Sequence, residues 1–305
     1  MPAHAQTGVT IAIPTYGREA VLVETLASVL SLDDRAEEVL VLDQTAQHQP
    51  ETEAALAGWA ADRRIRWIRL QEPSIPKAMN AGLRAAESAI VLFLDDDIVP
   101  QPGLVAAHRR AHAESGVVAV TGMVLQPGEE PAEGPLGSAR GERLRRDLEF
   151  SFRSKEKADV WNVMAGNLSV RKEPALACGG FDERFVGVAY RFETEFCRRL
   201  RRLGGRVIYE PAAVIRHLKA PSGGTRTWGC HQTSARPEHS VGDYYFAFLE
   251  GRGAEVVTYP VRRFLQETLS RFHRTHPWYI PAKVLGEVRG FLLAARLRMR
   301  KGQAG

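Results

Sequence analysis

A chain of 305 residues with 44% hydrophobic and 25% charged residues has the composition of a soluble globular protein, with room for one large α/β domain or two. It can bury a substantial core without staples, and its three cysteines (Cys178, Cys197, Cys230) show neither C-x-x-C nor zinc-type spacing, which argues against a disulfide framework and suits a reducing compartment. The formal charge is only +5, no basic segment leads into a long apolar run at the N-terminus, and no stretch of about 18 apolar residues occurs, so a cytoplasmic chain without a spanning helix is expected.

Val9–Ile13 is an apolar run ending at Pro14, a strand leaving into a loop. Glu19–Leu30 carries Val21, Leu22, Leu26, Val29 and Leu30 at helical spacing. Glu38–Leu42 reads as a second buried strand closed by Asp43, Glu51–Ala61 as a helix, and Ile65–Leu70 as a third strand ended by Glu72-Pro73. A helix over Lys77–Ala86 starts on Pro76, and Ala89–Leu94 is the fourth strand. Val117–Met123 is a further strand. The stretch Gln126–Arg146, rich in Gly, Pro and charge, reads as a mobile loop or insertion. Regular structure resumes near Val160. Phe192, Phe196, Leu200 and Leu203 mark a helix ended by Gly204-Gly205, and Val207–Tyr209 and Ala213–Ile215 are short strands followed by Arg216-His217. There is no internal repeat.

Strands alternating with helices imply parallel βαβ units, a Rossmann-like α/β sheet with helices on both faces. Ligands of such sheets sit outside the carboxyl ends of the strands. Three polar clusters fall there: Pro14-Thr15-Tyr16-Gly17-Arg18, Asp43-Gln44-Thr45 and Asp95-Asp96-Asp97. The acid triplet is the most demanding, because neighbouring carboxylates disfavour each other's ionised form and burial adds to the cost. Water or a cation must compensate. On the triplet alone, a solvated turn and a cation site are equally good readings.

The succession VTIAIPTYGR, VLVLDQT, PKAMNAGLRAAESAIVLFLDDDIVP, GNLSVRKE, GGFDERF, RFETEFCRRLRRLG and VIRHL resembles the family 2 glycosyltransferases, inverting enzymes of the GT-A fold, in the family's order from about Val9 to Leu218. The resemblance implies a GT-A domain over residues 1–218, with a nucleotide-binding half to about 123 and an acceptor-binding half over about 124–218. It implies transfer of a sugar, with inversion, from a nucleotide-diphosphate sugar to a hydroxyl of a saccharide or lipid-linked acceptor. A cation, Mn²⁺ or Mg²⁺, would neutralise charge on the departing diphosphate, and such hard cations take carboxylate oxygens. The family's D-x-D falls on Asp95 and Asp97, with Asp96 between them among the donor-binding residues. Asp95 and Asp97 can face one ion, since alternate side chains of an extended segment point the same way, or Asp95 can contact the sugar and ribose while Asp97 takes the metal. His217 is the further candidate ligand, and imidazole suits Mn²⁺ better than Mg²⁺.

By the same resemblance, Pro14, Thr15, Tyr16 and Arg18 cradle base and ribose, and Asp43 accepts from the base edge. Lys77 approaches the diphosphate, with Asn80 one turn on. Many relatives have Asp-Asp-Gly-Ser where this chain has Asp43-Gln44-Thr45. Inverting transfer needs one general base. The family's acidic pair has become Glu193-Thr194-Glu195, which gives Glu193 as base and Glu195 in reserve. On the acceptor side stand Trp161, Asn167, Gly180 and Asp182, the last able to orient a hydroxyl or to cap a short helix.

Residues 219–305 are read as a flexible loop followed by a basic helical region. The loop, Lys219–Gly229, is glycine-rich and cationic and is expected to close over the donor diphosphate, with Arg226 as a phosphate contact. Residues 251–305 hold nine Arg and two Lys against three Glu, a surplus of eight that leaves the rest of the chain at −3. From Lys283 on, Val284, Leu285, Val288, Phe291, Leu292 and Ala295 form an apolar face, and Lys283, Arg289, Arg296, Arg298, Arg300 and Lys301 supply positive charge. Such a helix can lie peripherally on an anionic membrane or pack on the domain. Nucleic acid is disfavoured as a partner, because the charge sits in one tail without interleaved aromatics. Two other functions compete. A nucleotidyltransferase would open with a glycine-rich phosphate loop after the first strand, where this chain has only Gly17, and a non-catalytic sugar-binding protein would not split a nucleotide sugar.

Overall fold

The molecule is a computed structural model that describes residues 8–133, 144 and 151–303. Alternation of side chains along the first strands decides its layering. In β1 (Val9–Thr15), Ile11 and Ile13 enter one apolar cluster and Ala12 the opposite one; in β2 (Glu38–Asp43), Val39 and Val41 oppose Leu40 and Leu42. The first cluster is covered by α1 (Ala20–Leu30) through Leu22, Leu26 and Val29, and by α2 (Pro50–Ala61) through Leu56. After β3 (Arg66–Arg69), α3 (Ile75–Ala85) covers the second cluster with Ala78, Met79 and Leu83. The Ser74 hydroxyl accepts from the Lys77 amide at 3.5 Å and caps α3, and Pro76 sits in its first turn. Each valine, leucine, isoleucine or methionine sealed this way contributes roughly 1.5–3 kcal/mol.

The chain continues through β4 (Ile90–Leu94), β5 (Ile98–Pro100), α4 (Leu104–His112), β6 (Val117–Leu125), β7 (Ala158–Asp159), β8 (Asn167–Arg171), α5 (Lys172–Ala177), α6 (Phe192–Arg202) and β9 (Arg206–His217). Most of the predicted loop Gln126–Arg146 lies outside the described residues. The helices α7 (Val241–Glu250), α8 (Glu255–Thr268), α9 (Arg271–Thr275) and α10 (Ile280–Gln303) follow. Strand order is β3-β2-β1-β4-β8-β6-β9-β5, with β7 on β9. The sheet is parallel from β3 to β4, as the alternation predicts, and β8 is inserted antiparallel to both β4 and β6.

Two differences from the sequence reading matter for function. The two short strands predicted around Pro211 are the ends of one strand, β9, whose pairing with β6 jumps from Gly122–Glu210 to Met123–Val214. The intervening residues leave the ladder, as a proline without an amide proton requires. The second difference is β5, which the sequence reading did not isolate. It pairs antiparallel with the end of β9, opposing Ile98 to His217. A histidine 120 residues downstream is thereby set beside the acid triplet. Tyr244, Tyr245 and Phe246 of α7 join the same apolar cluster as Phe192, Phe196 and Leu200 of α6.

Candidate active site

A cleft opens at the carboxyl ends of β1 and β4. Pro14, Thr15, Tyr16, Arg18, Gln44, Ser74, the three aspartates, His217, Gly224 and Trp228 are among the residues that line it. The acid triplet lines it in full and the first cluster all but Gly17; from the remaining cluster, Gln44 lines it and Asp43 does not.

Asp95, Asp97 and His217 form the centre. One donor atom from each lies within 4.8 Å of the others, and His217 Nε2 is 3.1 Å from Asp97 Oδ1 and 4.0 Å from Asp95 Oδ2. Asp95 is the most open of the three, with 48% of its side chain exposed. Its position depends on Gly166, because a Cβ there would lie 2.1 Å from Asp95 Oδ2. Two carboxylates and an imidazole whose donor atoms converge this closely fit a hard divalent ion of the Mn²⁺ or Mg²⁺ kind. Burial works against the charge on Asp97, but the hydrogen bond and charge of His217, the Ala220 amide and Arg18 outweigh it and hold the carboxyl below its usual range. The His217 imidazole is also partly desolvated, and Asp97 and Asp95 more than offset this and raise it.

Asp96 faces away from that centre. Its Oδ2 accepts from Thr15 Oγ1 at 2.7 Å and its Oδ1 from Arg18 Nε at 3.1 Å. Burial pushes this carboxyl up to about 6, against the pull of Arg18 and Thr15. Arg18 also reaches Asp97 Oδ2 at 3.3 Å and donates to the Ser222 carbonyl. One guanidinium thus offsets two of the three negative charges and ties down the segment after β9. That segment is further held by the Leu218 amide on the Asp97 carbonyl (2.7 Å), the Ala220 amide on Asp97 Oδ2 (2.8 Å) and the Gly224 amide on the Tyr16 carbonyl (2.7 Å). Gly223, at φ +77°, packs where a Cβ would lie 2.2 Å from the Gly17 carbonyl oxygen. Arg226 falls in the short turn Gly224–Trp228, and its side chain lies outside the described part of the structure.

The structure gives several other expected contact residues partners within the protein. Asp43 is fully buried; its Oδ2 accepts from Trp67 Nε1 at 2.9 Å and lies 3.0 Å from His48 Nε2, and its Oδ1 accepts from the Thr45 amide. Lys77 is exposed and pairs with Glu72 at 2.5 Å. The Asn80 side chain accepts from the Phe181 amide and donates to the Phe181 carbonyl and Glu183, bolting α3 to the loop that contains Gly180. Asn167 donates to the Ala213 and Met123 carbonyls, at the irregularity between β6 and β9, and its oxygen lies 2.8 Å from His108 Nε2. Trp161 lies under the Arg201 guanidinium, 4.1 Å from its ring centre. Asp182 holds Arg184 at 2.8 Å and accepts from the Tyr245 hydroxyl at 3.1 Å.

The two glutamates at the start of α6 have different surroundings. Both oxygens of Glu195 accept from Arg199, at 2.7 and 2.9 Å. Glu193 has one oxygen, Oε2, out of solvent with no hydrogen-bond partner among the described groups. Burial pushes its carboxyl up to about 7, with the negative charge of Asp95 adding and Arg191 opposing. Just before it, Ala189 and Arg191 adopt left-handed backbone (φ +55° and +75°), unusual for residues with side chains. Arg191 is held by Asp243 of α7 at 3.3 Å.

Comparison with known proteins places this architecture. The model of the family described as Glycosyl transferase family 2 matches residues 10–178, more than half of the chain, and the chain belongs to that family. A pre-mycofactocin glycosyltransferase of Mycobacterium tuberculosis is 29% identical over 145 residues, which cover 46% of this chain and 29% of the relative, so the match spans under a third of that protein's length. Among solved structures, the mannosyltransferase PcManGT of Pyrobaculum calidifontis, in complex with GDP-Man and Mn²⁺, superposes with a TM-score of 0.57 at 20% identity, covering 99% of this chain and 81% of that one. The S. aureus TarS fragment 1–349 in complex with UDP-GlcNAc gives 0.61 at 14% identity, covering 97% and 92%. At these identities the likeness carries the fold, a mixed α/β sheet of the GT-A type.

Proposed function

We propose that this chain transfers a sugar from a nucleotide-diphosphate sugar to an acceptor hydroxyl with inversion at the sugar carbon. The observation that carries the reading is the meeting of Asp95, Asp97 and His217 within 4.8 Å in a cleft at the strand ends of a family 2 chain. Those three residues would hold Mn²⁺ or Mg²⁺, and the ion would supply positive charge to the leaving diphosphate. Tyr16, Gln44, Ser74 and Trp228 line the cleft where a nucleoside fits, and Arg18 keeps the aspartates in place. The segment Lys219–Gly229 closes over the diphosphate. Glu193 takes the proton of the attacking hydroxyl: its oxygen is unpaired and its carboxyl is poised near neutrality, as a base working near pH 7 requires. Glu195, engaged with Arg199, supports the helix. The acceptor is a saccharide or a lipid-linked saccharide, bound on the side of Glu193.

The test is a thermal-shift and hydrolysis panel of UDP-, GDP- and dTDP-sugars with and without Mn²⁺. One nucleotide is expected to raise the melting temperature only with the cation, and a ligand at a hundred times its Kd adds about 2.7 kcal/mol of apparent stability. Asp97→Ala should abolish both the shift and the hydrolysis. Metal-independent turnover, or no response to any nucleotide sugar, would overturn the reading.

A further inference from the structure

The outermost face of a helix packed on a globular domain is normally its most polar. In α10 the reverse holds. At 100° per residue, Gly286, Glu287, Gly290 and Ala294 point inward toward α7 and its neighbours, and Leu285, Val288, Leu292 and Met299 point directly away. Those four are between 43% and 63% exposed. Arg296 and Arg300 are exposed along one flank of this stripe. The pattern recurs along α8, where Val257, Val261 and Leu265, and Leu269 just past its end, spaced by four residues, are 49% to 65% exposed. Trp278, between the two helices, is 65% exposed.

The distribution of acids separates what can cover this surface. The acid of α10, Glu287, is buried and paired with Lys283 at 2.9 Å, and Glu267 of α8 pairs with the same lysine at 2.9 Å. Lys283, counted by sequence among the surface cations, is buried. Glu255 accepts from the Arg252 amide at the start of α8. The negative charges of this region are thus spent internally or at a helix end, and the outward face of α10 carries only apolar and positive groups. A second copy docking the same face would set arginine against arginine across an apolar seam. An anionic lipid surface meets both features at once, since the apolar stripe enters the acyl boundary while the arginines stay among the headgroups.

We propose that the outward face of α10 is a docking surface for an anionic lipid bilayer. The proposal is independent of the donor site. The test is flotation of the full chain with vesicles of phosphatidylcholine alone or with one-third phosphatidylglycerol, at about 0.15 M salt. The protein should float with the anionic vesicles and stay behind with the neutral ones. Two doubly substituted chains keep the outcome interpretable: Leu292→Glu with Met299→Glu, and Arg296→Glu with Arg300→Glu. These positions are exposed, so both variants should keep the wild-type melting temperature and nucleotide-sugar binding, and each should lose about tenfold or more in vesicle affinity. Absence of wild-type flotation, flotation unchanged in either variant, or a concentration-dependent dimer that the leucine and methionine changes dissociate while vesicles stay unbound would each overturn it.

Discussion

At the scale of single residues, the site turns on which polar groups are already paired. Glu193 and Glu195 stand two positions apart on one helix, yet Arg199 neutralises the second and leaves the first short of a partner. Glu193→Gln should therefore lower kcat by about 10² to 10⁴, with substrate binding little changed. With the carboxyl at about 7, the wild-type rate should climb with pH below that value and level off above it, and the variant's residual rate should lack this limb. The same shift acts on folding. Between about pH 4.5 and about 7 the unfolded chain gives up this proton while the folded chain keeps it, so stability falls as pH rises across that window. Urea titrations at pH values spanning the window should show a shallower fall in Glu193→Gln. Gly166 offers a second test. A methyl group there must displace the Asp95 carboxylate, so Gly166→Ala should weaken Mn²⁺ binding by about tenfold to a hundredfold, read by calorimetry without substrate.

At the scale of elements, β5 and α7 hold the site in register. Three residues of β5 align Ile98 with His217, and this pairing brings the imidazole to Asp97. On the other side, Asp243 of α7 joins α6 to the C-terminal helices. It is nearly buried and receives Arg191, Arg263 and the Tyr259 hydroxyl. Burial opposes its charge, but the two guanidiniums and the hydroxyl outweigh this and hold the carboxyl below its usual range. Asp243→Ala leaves two largely buried arginines without their shared partner and should cost roughly 3–5 kcal/mol in denaturant unfolding. Because a depressed carboxyl contributes stability that is lost as pH falls, the gap between wild type and this variant should narrow in acid. Arg191 immediately precedes α6, so the variant should also lose activity at temperatures where it is still folded. Glu250 makes a parallel tie, accepting from Arg198 at 3.4 Å and pairing with Arg202.

At the scale of the whole molecule, one sheet gathers the aspartates, Arg18 and His217 in a cleft at the ends of β1 and β4, and a helical region packs behind α6. Among the described residues no helix is long and apolar enough to cross a membrane. The exposed apolar stripes of α8 and α10 lie in the basic last fifth of the chain. If the cleft binds its donor only with a cation, Asp97→Ala should abolish nucleotide-induced protection from proteolysis in Lys219–Gly229 while leaving vesicle flotation intact. That result would separate the two surfaces.

The sequence by itself determined the elements from Val9 to Leu94 to within about two residues, the parallel start of the sheet, and the crevice that receives the acid triplet. Their signals are local: short continuous apolar runs in β1, β2 and β4, closed by proline or aspartate, a helical period in α1 and α3, and proline at the start of α3. Asp95, Asp97 and His217 were named together from a resemblance, but only the tertiary structure put them within reach of one ion, because β5 pairs with a strand more than a hundred residues away. It alone decided that Asp43, Asn80 and Asn167 have their polar atoms engaged inside the protein, that Arg18 serves two aspartates, and that Glu193 differs from Glu195. Each of these turns on which distant group fills a side chain's hydrogen-bonding capacity, and spacing along the chain carries no record of that. The outward apolar face of α10 was half legible: its period was plain, but which side faced the core depended on α7 and on the burial of Lys283.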